Sequence, residues 1–480
     1  MDLHWIDASI FVVYLLFMLA IGFYFMRSNK SNDDYYVGGR SMKAGHIGLS
    51  VVATDVGGGF SIGLGGLGFM MGLSGSWMLF TGLIGAWLSA VVLIPKVYPL
   101  AKKHNFLTFP QTLKHHYNAK VAFVAGIISF IGYVGFTSSQ ILAGAKLASA
   151  TFPTISLNTT ILIMGVIAVV YTVIGGIKAV VYTDTIQWSI LMGGLIFIGI
   201  PLSYSSIGGW EGLMANVPQK FLGLSNLTPI DFFNWFITIV PIWFVGMTLY
   251  QRIYACRDEK TAQKAWRIAG FFEWPIMAFM GVALGLFARV AFQQGMFTEA
   301  GFAPGSAIDA ELGLPLLLSN ILPIGLMGLM MSAYFSAIMS TADSCLMAAS
   351  GNFTSDVMGY ISKHTKWQSI KNSQLFTLLI GAVAVLLATL MTNVLELMLY
   401  SYAFMVSGLL VPVLATLIIQ KPKPEAAFVA MIIGGGTTLL LILLNIDLPL
   451  GLDENFFGIV ASALSFSLVQ QIGKQDARPA

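Results

Sequence analysis

The chain alternates between long apolar runs and short polar segments, and this alternation predicts its architecture. A run of about 18 or more apolar residues with few charges is long enough to cross a lipid bilayer as a helix. Thirteen runs reach that length, so the pattern predicts an all-α polytopic membrane protein with 13 transmembrane helices. The runs span approximately residues 5–26, 46–71, 77–98, 121–150, 157–175, 180–205, 229–250, 267–290, 315–348, 373–392, 394–419, 425–445 and 455–472.

The basic residues indicate which helix ends face the cytoplasm. No Lys or Arg precedes Arg27, and the first run has no small-residue cleavage site, so it is predicted to be an uncleaved helix with its N-terminus outside. If the next segment is cytoplasmic, then alternate loops and the C-terminal segment hold 22 of the 25 basic residues. Arg252 is counted among them, in the loop after the seventh run. This asymmetry supports 13 helices, a cytoplasmic C-terminus and a place in the plasma (inner) membrane.

The composition agrees with a lipid environment and excludes several classes of protein. Residues of the AVILMFWYC set make up 56%, charged residues make up 10%, and the mean hydropathy is +0.80. A soluble protein this poor in charge cannot cover its surface, and a net charge of +3 leaves no broad basic face for nucleic acid. The two cysteines, Cys256 and Cys345, are interpreted as reduced apolar residues rather than a disulfide. We therefore expect one transmembrane domain.

The second run places an aspartate beside an unusual number of glycines. Asp55 precedes the segment Gly57–Gly68, in which seven of twelve residues are glycine. Glycine costs about 1 kcal/mol relative to alanine inside a helix, so a continuous helix is poorly supported there. One interpretation is close helix packing through Gly59 and Gly63. The other, which also accounts for the aspartate, is a helix broken at mid-membrane, whose free carbonyls coordinate a cation or orient a substrate.

The ninth run carries hydroxyl side chains on one helix face. Ala337, Ser340, Thr341 and Ser344 follow the helical i, i+3, i+4, i+7 spacing, and Asp343 lies beside Ser340. The simpler interpretation is that these hydroxyls bond to carbonyls of their own helix, as is common in membranes. A buried carboxylate next to three hydroxyls instead indicates a site for a hard cation, which prefers oxygen ligands.

Further ionisable residues fall within the predicted spans, where charge is costly. Asp184 is either a helix-end residue or a partner for Asp343, since both are placed at a similar depth toward the cytoplasm. Lys146 and Glu396 lie near helix ends, from which their charged groups are expected to reach the interface. Glu273 is expected to form an interfacial ion pair with the basic loop that precedes it.

Several motifs, taken in order and at their spacing, resemble the sodium/solute symporter family over nearly the whole chain. They are the segments 35–40, 53–61, 175–187, 251–252 and 339–344. The resemblance implies a five-plus-five inverted-repeat core of the LeuT type. The implied boundaries are 5–26 for an extra N-terminal helix, 46–205 and 229–419 for the two repeats, and 425–472 for two C-terminal helices. The seventh run, with Pro241 and Gly246, then corresponds to the broken second run.

The resemblance also implies the ligands of a main sodium site. They are backbone carbonyls at the helix break, together with carbonyl and hydroxyl oxygens of the Ser-Thr helix. By motif, these ligands are Ala53, Val56, Ala337, Ser340 and Thr341. Five oxygens without a formal charge suit Na⁺ better than a divalent ion.

A second sodium site, nearer the cytoplasm, is implied by the Thr-Asp-Thr motif of some family members. Its candidates here are Asp184, Ser340, Asp343 and Ser344. Asp343 stands where the two-sodium members carry a hydroxyl. No basic residue within their own spans offsets the cost of burying Asp184 and Asp343. Either the two hold a second cation together, which is the prediction made here, or at least one of them stays protonated.

The substrate is indicated only by class. Asp55 resembles the proline symporter branch, whereas the Val-Gly-Gly-Gly-aromatic sequence that follows resembles the choline transporter branch. Both branches carry solutes with a positive nitrogen, and Asp55 either complements that nitrogen or serves sodium. Gly59 replaces a tryptophan of the proline branch. The candidates for substrate contact and coupling are Asp55, Gly57, Gly58, Gly59, Gln140, Trp243, Phe244, Tyr400 and Tyr402.

The function implied by the resemblance is sodium-coupled import of a small organic solute by alternating access. The solute classes are amino acids, betaine or choline-like compounds and other small metabolites. Na⁺ is the coupling ion, no organic cofactor or nucleic acid is expected, and a monomer in the lipid bilayer is sufficient. No zinc, nucleophile-elbow or phosphate-loop motif occurs, so an enzyme is disfavoured.

Two other functions fit the same residues. The first is a transporter-like membrane sensor or channel without coupled flux. The second is proton-coupled transport of the same solutes, with Asp55, Asp184 and Asp343 as a relay. The neutral oxygens of the main sodium site speak against proton coupling, because they have nothing to protonate.

Overall fold

The structure, a computed structural model, describes residues 4–26, 32–152, 155–362 and 370–475, most of which are helical. The first ten helices are α1 (Trp5–Met26), α2 (Asn32–Val37), α3 (Ala44–Met71), α4 (Trp77–Val92), α5 (Ile94–His104), α6 (Phe109–His116), α7 (Ala119–Thr151), α8 (Leu157–Gly194), α9 (Ile200–Ser206) and α10 (Gly209–Asn216). The others are α11 (Pro229–Val245), α12 (Met247–Ala255), α13 (Glu259–Phe272), α14 (Phe279–Gln293), α15 (Ala310–Ile321), α16 (Leu326–Gly351), α17 (Gly359–Ile361), α18 (Ile370–Ala388), α19 (Val394–Ile418), α20 (Pro424–Leu444) and α21 (Glu454–Gln475). Wider π-helical turns follow α8, α13 and α16 at Leu195–Gly199, Glu273–Ala278 and Asn352–Met358.

The predicted polytopic helical architecture is confirmed, but the number of spans is not. Within the described residues, eight helices are long and apolar enough to cross a membrane, or nine if one bent pair counts as a single span. Two other predicted spans are shorter apolar helices, Trp5–Phe17 and Leu157–Val173. A further difference concerns the predicted spans 46–71 and 77–98. The second half of α3 and the whole of α4 count together as one candidate span, Ile62–Val92.

The predicted single span over 315–348 is wrong. Helix α15 ends at Ile321, and α16 begins at Leu326. Between them, Pro323 cannot donate a helical hydrogen bond, and Gly325 has a φ of 85°, which a helix does not accommodate. The apolar side chains continue across this interruption, and hydropathy alone therefore does not reveal it.

Helix α8 contains the two predicted spans 157–175 and 180–205, and it cannot lie on one straight axis. The hydroxyl oxygens of Tyr171 and Thr183 are 3.5 Å apart. Twelve residues of straight helix would separate their backbones by about 18 Å. The helix axis therefore bends sharply between Tyr171 and Thr183, which agrees with two separate predicted spans.

Both predicted helix breaks are present. Helix α3 is interrupted at Gly57, where φ is 33° and ψ is −161°. The pair α11 and α12 bends by 42° at Gly246, which follows Pro241 in α11. Because lipid offers no hydrogen bonds, each break has to be enclosed by neighbouring helices.

Helix α3 lies at the centre of the fold. It packs against α13, α14 and α15 on one side and against α7, α8 and α16 on the other. Helices α1, α18, α20 and α21 instead present exposed apolar side chains such as Leu386 and Leu443, as expected of surfaces in contact with lipid. Cys256 and Cys345 are both free and buried, which confirms their interpretation as reduced apolar residues.

Candidate functional site

Four of the five predicted ligands of the main sodium site meet where α3 is broken. The Thr341 hydroxyl donates to the Ala53 carbonyl across the α3–α16 contact at 2.9 Å, and it also lies 3.3 Å from the Ala337 carbonyl. The Ser340 hydroxyl donates to the Ala337 carbonyl at 3.0 Å. All four residues are buried. The side chain of Val56 and the surroundings of Gly59 lie outside the part of the structure that is described.

The break itself is held by α7 and α16. The backbone N–H of Gly58 donates to the Gln140 side-chain oxygen at 2.8 Å. A Cβ atom added at Gly57 would lie 2.6 Å from the Thr341 hydroxyl oxygen and 2.9 Å from the side-chain amide oxygen of Gln140. A Cβ atom at Gly58 would lie 2.6 Å from Ile338. Gln140, a predicted substrate residue, thus satisfies the backbone that the break leaves open.

Arg252 is the main residue that sequence reasoning misplaced. The distribution of basic residues predicts that Arg252 lies in a cytoplasmic loop. The bend at Gly246 instead carries it into the protein interior, where it is fully buried. Its guanidinium donates to Ser50 at 3.1 Å and to Ser344 at 2.8 Å, and it pairs with the Asp184 carboxylate at 3.7 Å. The premise that Asp184 has no positive partner is therefore wrong.

The two aspartates of the predicted second sodium site lie in different parts of the interior. Asp184 also accepts the Ser50 hydroxyl at 2.5 Å, on the side of α3 and α12. Asp343 accepts the Thr172 hydroxyl at 2.5 Å and lines a separate cavity of about 90 Å³ together with Ser340. The structure thus brings Ser344 to Arg252 and places Ser340 between the two aspartates.

The predicted aromatic residues do not all lie together. The Tyr402 hydroxyl donates to Asp55 at 3.4 Å, and the ring packs edge-on against Phe136 at 5.0 Å. Trp243 is fully buried against Trp266. Phe244 is buried as well, and its carbonyl accepts the Tyr250 hydroxyl at 2.9 Å.

Tyr400 lies farther out than the other aromatic candidates. Its hydroxyl donates to Glu396 at 2.9 Å, and both residues line a cavity of about 650 Å³ that also contains Asp309 and Asp453 in its wall. This cavity is called the outer cavity below, after the orientation that the sequence predicts. The predicted position of Glu396 near a helix end is confirmed, because its backbone N–H is capped by the Asn393 side chain.

The predicted interfacial ion pair of Glu273 is wrong. Its carboxyl group is fully buried, and it takes part in none of the ion pairs among the described residues. It lies instead against Asp55 and against Gly82 of α4. The π-helical turn that begins at Glu273 widens the helix locally and turns the side chain inward, toward the α3 break.

Lys146 does not reach the membrane interface either. It is buried and pairs with Asp309 at 2.5 Å and Glu311 at 2.6 Å. Glu311 also accepts the backbone N–H groups of Val394 and Leu395 at 3.0 Å, at the start of α19. One carboxylate therefore joins α7, α15 and α19.

The outer cavity carries an excess of negative charge. Its wall is formed by residues of α3, α11, α15, α19 and α21, and Arg289 is a basic residue in that wall. Burial raises the pKa of the Asp453 carboxyl to about 6, with a smaller contribution from its acidic neighbours, so it is ionised at neutral pH. The acidic residues that line the cavity are Asp309, Glu311, Glu396, Asp453 and Glu454.

Known proteins with similar sequences are sodium-coupled transporters. The model of the "sodium:solute symporter family" matches residues 35–434. The sodium/proline symporter of Escherichia coli (strain K12) is 27% identical over 97% of this chain and 92% of its own length. The sodium/glucose cotransporter of Vibrio parahaemolyticus is also 27% identical, over 74% of this chain and 69% of its own length.

Two solved structures share the fold. A Na⁺-coupled sialic acid symporter in an outward-open state has a TM-score of 0.80 at 21% identity, with 100% of this chain and 99% of that chain covered. Mhp1, a nucleobase-cation-symport-1 family transporter in a closed conformation, has a TM-score of 0.60 at 13% identity, with 93% and 96% covered. These similarities confirm the LeuT-type fold.

We expect Gly57→Ala to destabilise the protein. A non-glycine residue at φ 33° and ψ −161°, a backbone region used almost only by glycine, costs about 1–3 kcal/mol, and the new Cβ would also press on Thr341. Thermal unfolding in detergent, followed by tryptophan fluorescence, measures the loss. Gly45→Ala is the control, because nothing lies within 4 Å of a Cβ atom at that position of α3. Equal melting temperatures for the two variants would show that the break tolerates a side chain.

We expect Asp184→Asn to cost about 3 kcal/mol of unfolding free energy, because it leaves the buried Arg252 without its carboxylate. Combining it with Arg252→Gln should restore part of that loss, and the double-mutant cycle measures the coupling. Asp33→Asn, which breaks the more exposed pair with Arg40, should cost less than about 1 kcal/mol. Additive effects of the two interior changes would contradict a direct pair.

Proposed function

Because this chain belongs to the sodium:solute symporter family and is a sodium-coupled importer of a small organic solute, we propose that its solute carries a positive nitrogen. Asp55 supports this proposal. It is buried beside the break of α3, and Tyr402 directs its hydroxyl toward one carboxylate oxygen. The sodium/proline symporter of Escherichia coli, a relative over nearly the whole chain, is consistent with a nitrogenous solute.

The main coupling sodium is proposed to bind the oxygens of Ala53, Val56, Ala337, Ser340 and Thr341. The support is the contact between the Thr341 hydroxyl and the Ala53 carbonyl, which puts oxygens of α3 and α16 within reach of one ion. In the proposed occupied state, contacts between these oxygens and sodium replace the hydrogen bonds that the oxygens now make with one another. The ion then holds the broken helix of the first repeat against the second repeat.

We propose a single coupling sodium per solute. The predicted second site requires a cation between Asp184 and Asp343, but the guanidinium of Arg252 already compensates Asp184. Asp343 bonds to Thr172 and faces a different cavity. Ser344, another member of the predicted second site, is also occupied, because its hydroxyl accepts the Arg252 guanidinium at 2.8 Å.

The proposed orientation follows from the basic residues of the chain. The N-terminus lies outside, the C-terminus lies in the cytoplasm, and the protein resides in the plasma (inner) membrane as a multi-pass protein. A monomer suffices, since the sodium and solute candidates of the described residues lie within one chain. Uptake by reconstituted vesicles, with an inward sodium gradient present or collapsed, tests the function. Uptake that ignores the gradient for every nitrogenous solute would overturn it.

We expect Ser340→Ala and Thr341→Ala each to weaken sodium activation of uptake by about tenfold or more, since each removes one of five ligands. The measurement is the sodium concentration at half-maximal uptake. Ser332→Ala is the control, because that hydroxyl is equally buried in α16 and donates to the Gly328 carbonyl of its own helix. Unchanged sodium activation in both variants would show that Ser340 and Thr341 are not ligands of the main sodium.

We expect a flux ratio of one sodium per solute and a Hill coefficient for sodium near one. Asp343→Asn should leave both values unchanged, because Asp343 is not proposed as a sodium ligand. Parallel uptake of labelled sodium and labelled solute gives the ratio. A ratio of two that falls to one in Asp343→Asn would restore the predicted second site.

A further inference from the structure

Six exposed basic residues lie together at the ends of α5 and α6. Each helix ends in three of them, and the rings of His104 and His115 are 4.7 Å apart, so the two helix ends meet. No acidic residue occurs in the sequence between Asp55 and Asp184, and none of the six forms an ion pair among the described residues. The members of this group, called the basic patch below, are Lys102, Lys103, His104, Lys114, His115 and His116.

The placement at helix ends explains only part of this charge. Cations are favourable near the carbonyl groups of a helix C-terminus, but that effect falls off within the last turn. Basic groups at two helix ends that meet also repel one another, and the part of the chain that the structure describes provides no ion pair to offset the repulsion. A bound anion would therefore stabilise the basic patch.

A cavity of about 150 Å³ lies beside the basic patch, between α5, α6, α12 and α19. Lys96 and His116 lie in its wall, and much of the remaining wall is apolar, as at Leu100 and Leu417. Lys96 is exposed and donates to the Leu417 carbonyl at 2.6 Å, which uses one of the three donors of its ammonium group. The cavity thus combines cationic donors with an apolar crevice.

This crevice adjoins aliphatic surface of the kind that faces lipid. Val91 and Val92, which directly precede α5, are 64% and 41% exposed, and Ile418, which follows Leu417, is 77% exposed. Lys96 lies one helical turn after Val92. Its ammonium group is therefore placed at the boundary between hydrocarbon and water, where the headgroups of phospholipids lie.

The lysines supply the positive charge of this region at neutral pH. Burial lowers the pKa of His116, and the neighbouring His115 lowers it further. The pKa of His115 is lowered by burial, by His104 and by Lys103. Both imidazoles are therefore neutral at pH 7, where they donate hydrogen bonds without adding charge.

The two parts of the crevice together fit a phospholipid better than a soluble phosphate. Lysine ammonium groups and imidazole N–H groups are donors for phosphate oxygens. A soluble phosphate would use those donors but leave the apolar wall at Leu100 and Leu417 in contact with water. An acyl chain that continues from the same headgroup covers that wall.

We propose that the crevice between α5, α6 and α19 binds an anionic phospholipid, with its phosphate at Lys96 and the basic patch and its acyl chains along the ends of α4 and α19. This site goes beyond the proposed function, because it contains none of the sodium or solute candidates. The proposed orientation of the chain places it in the cytoplasmic leaflet.

The neighbours of the crevice explain why the lipid should stabilise the fold. The hydroxyl oxygens of Thr112 in α6 and Tyr254 in α12 are 2.8 Å apart. Tyr117, at the end of α6, donates its hydroxyl to the Pro412 carbonyl of α19 at 2.8 Å. A lipid bound here adds contacts to a junction of α5, α6, α12 and α19. Because the unfolded chain lacks this junction, binding raises the melting temperature.

Lipid titrations of the delipidated protein in detergent test the site. The added compounds are phosphatidylglycerol, phosphatidylcholine with the same acyl chains, and glycerol 3-phosphate, and tryptophan fluorescence gives the melting temperature at each concentration. We expect an apparent affinity for phosphatidylglycerol about tenfold or more above that for phosphatidylcholine. Equal affinities for the two lipids would overturn the inference. Glycerol 3-phosphate that binds as tightly as phosphatidylglycerol would identify a soluble phosphate as the ligand and overturn the lipid.

Variants of Lys96 show whether the crevice itself binds the headgroup. Lys96→Gln should weaken the binding of phosphatidylglycerol about fivefold, whereas Lys96→Arg should retain it. Lys371→Gln is the control, because it removes an exposed lysine from α18, which packs against α7, α8 and α16. Equal weakening by Lys96→Gln and Lys371→Gln would show that the lipid responds to overall charge and would overturn the site.

A second variant keeps the test decisive if Lys96→Gln does not fold. Lys102→Gln combined with Lys103→Gln changes two exposed positions of the basic patch and should weaken binding of phosphatidylglycerol by at least as much. Unchanged binding in this variant would exclude the patch from the site. These measurements need neither sodium nor solute, so a negative result overturns the lipid site alone, and uptake that ignores the sodium gradient overturns the proposed function alone.

Discussion

The rest of the structure depends on how the broken backbone of α3 is satisfied inside a membrane. Lipid offers no hydrogen bonds, so the amide and carbonyl groups freed at Gly57 need partners within the protein. Gln140 of α7 accepts one N–H group, and Thr341 of α16 donates to one carbonyl. The break therefore fixes three helices against one another, and two of the groups that hold it, the Thr341 hydroxyl and the Ala53 carbonyl, are also proposed to bind sodium.

The buried charges divide into those that hold the fold and those that do not. Lys146 pairs with the carboxylates of Asp309 and Glu311, and Arg252 pairs with Asp184. Between them, Asp55 and Glu273 have no such partner among the described residues. A structural ion pair carries its compensation within the chain. Asp55 lacks that compensation, which agrees with its proposed role in binding the positive nitrogen of the solute.

The sequence predicted features that depend on local composition and missed those that depend on distant partners. The helix break could be predicted because glycines are concentrated around Gly57. The pairing of Lys146 with Glu311, 165 residues away, leaves no local signal, and neither does the inward turn of Glu273. Arg252 was misplaced because its charge was counted as a loop charge, whereas the bend at Gly246 places it in the interior.

The same local reasoning explains which candidate residues lie together. Ser340 and Thr341 follow a helical period, so the sequence predicts their common face and the structure places that face at the break. For the aromatic candidates the sequence indicates only the helix on which each residue lies, not the direction of its side chain. Tyr400 lies in the outer cavity, whereas Tyr402 reaches Asp55. Two residues along one helix differ by about 200° in direction, which membership does not resolve.

The position of α3 also explains how two ligands can depend on each other. In the proposed loaded state, sodium links the α3 break to α16, while the solute binds Asp55, two residues before the break in α3. Both ligands therefore act on one interrupted helix, which packs against α13 and α16 at once. A ligand shifts a conformational equilibrium only by its different affinity for the two states. Because the same segment of α3 contributes to both sites, a state that aligns it for sodium also aligns Asp55 for the solute, and the coupling is reciprocal.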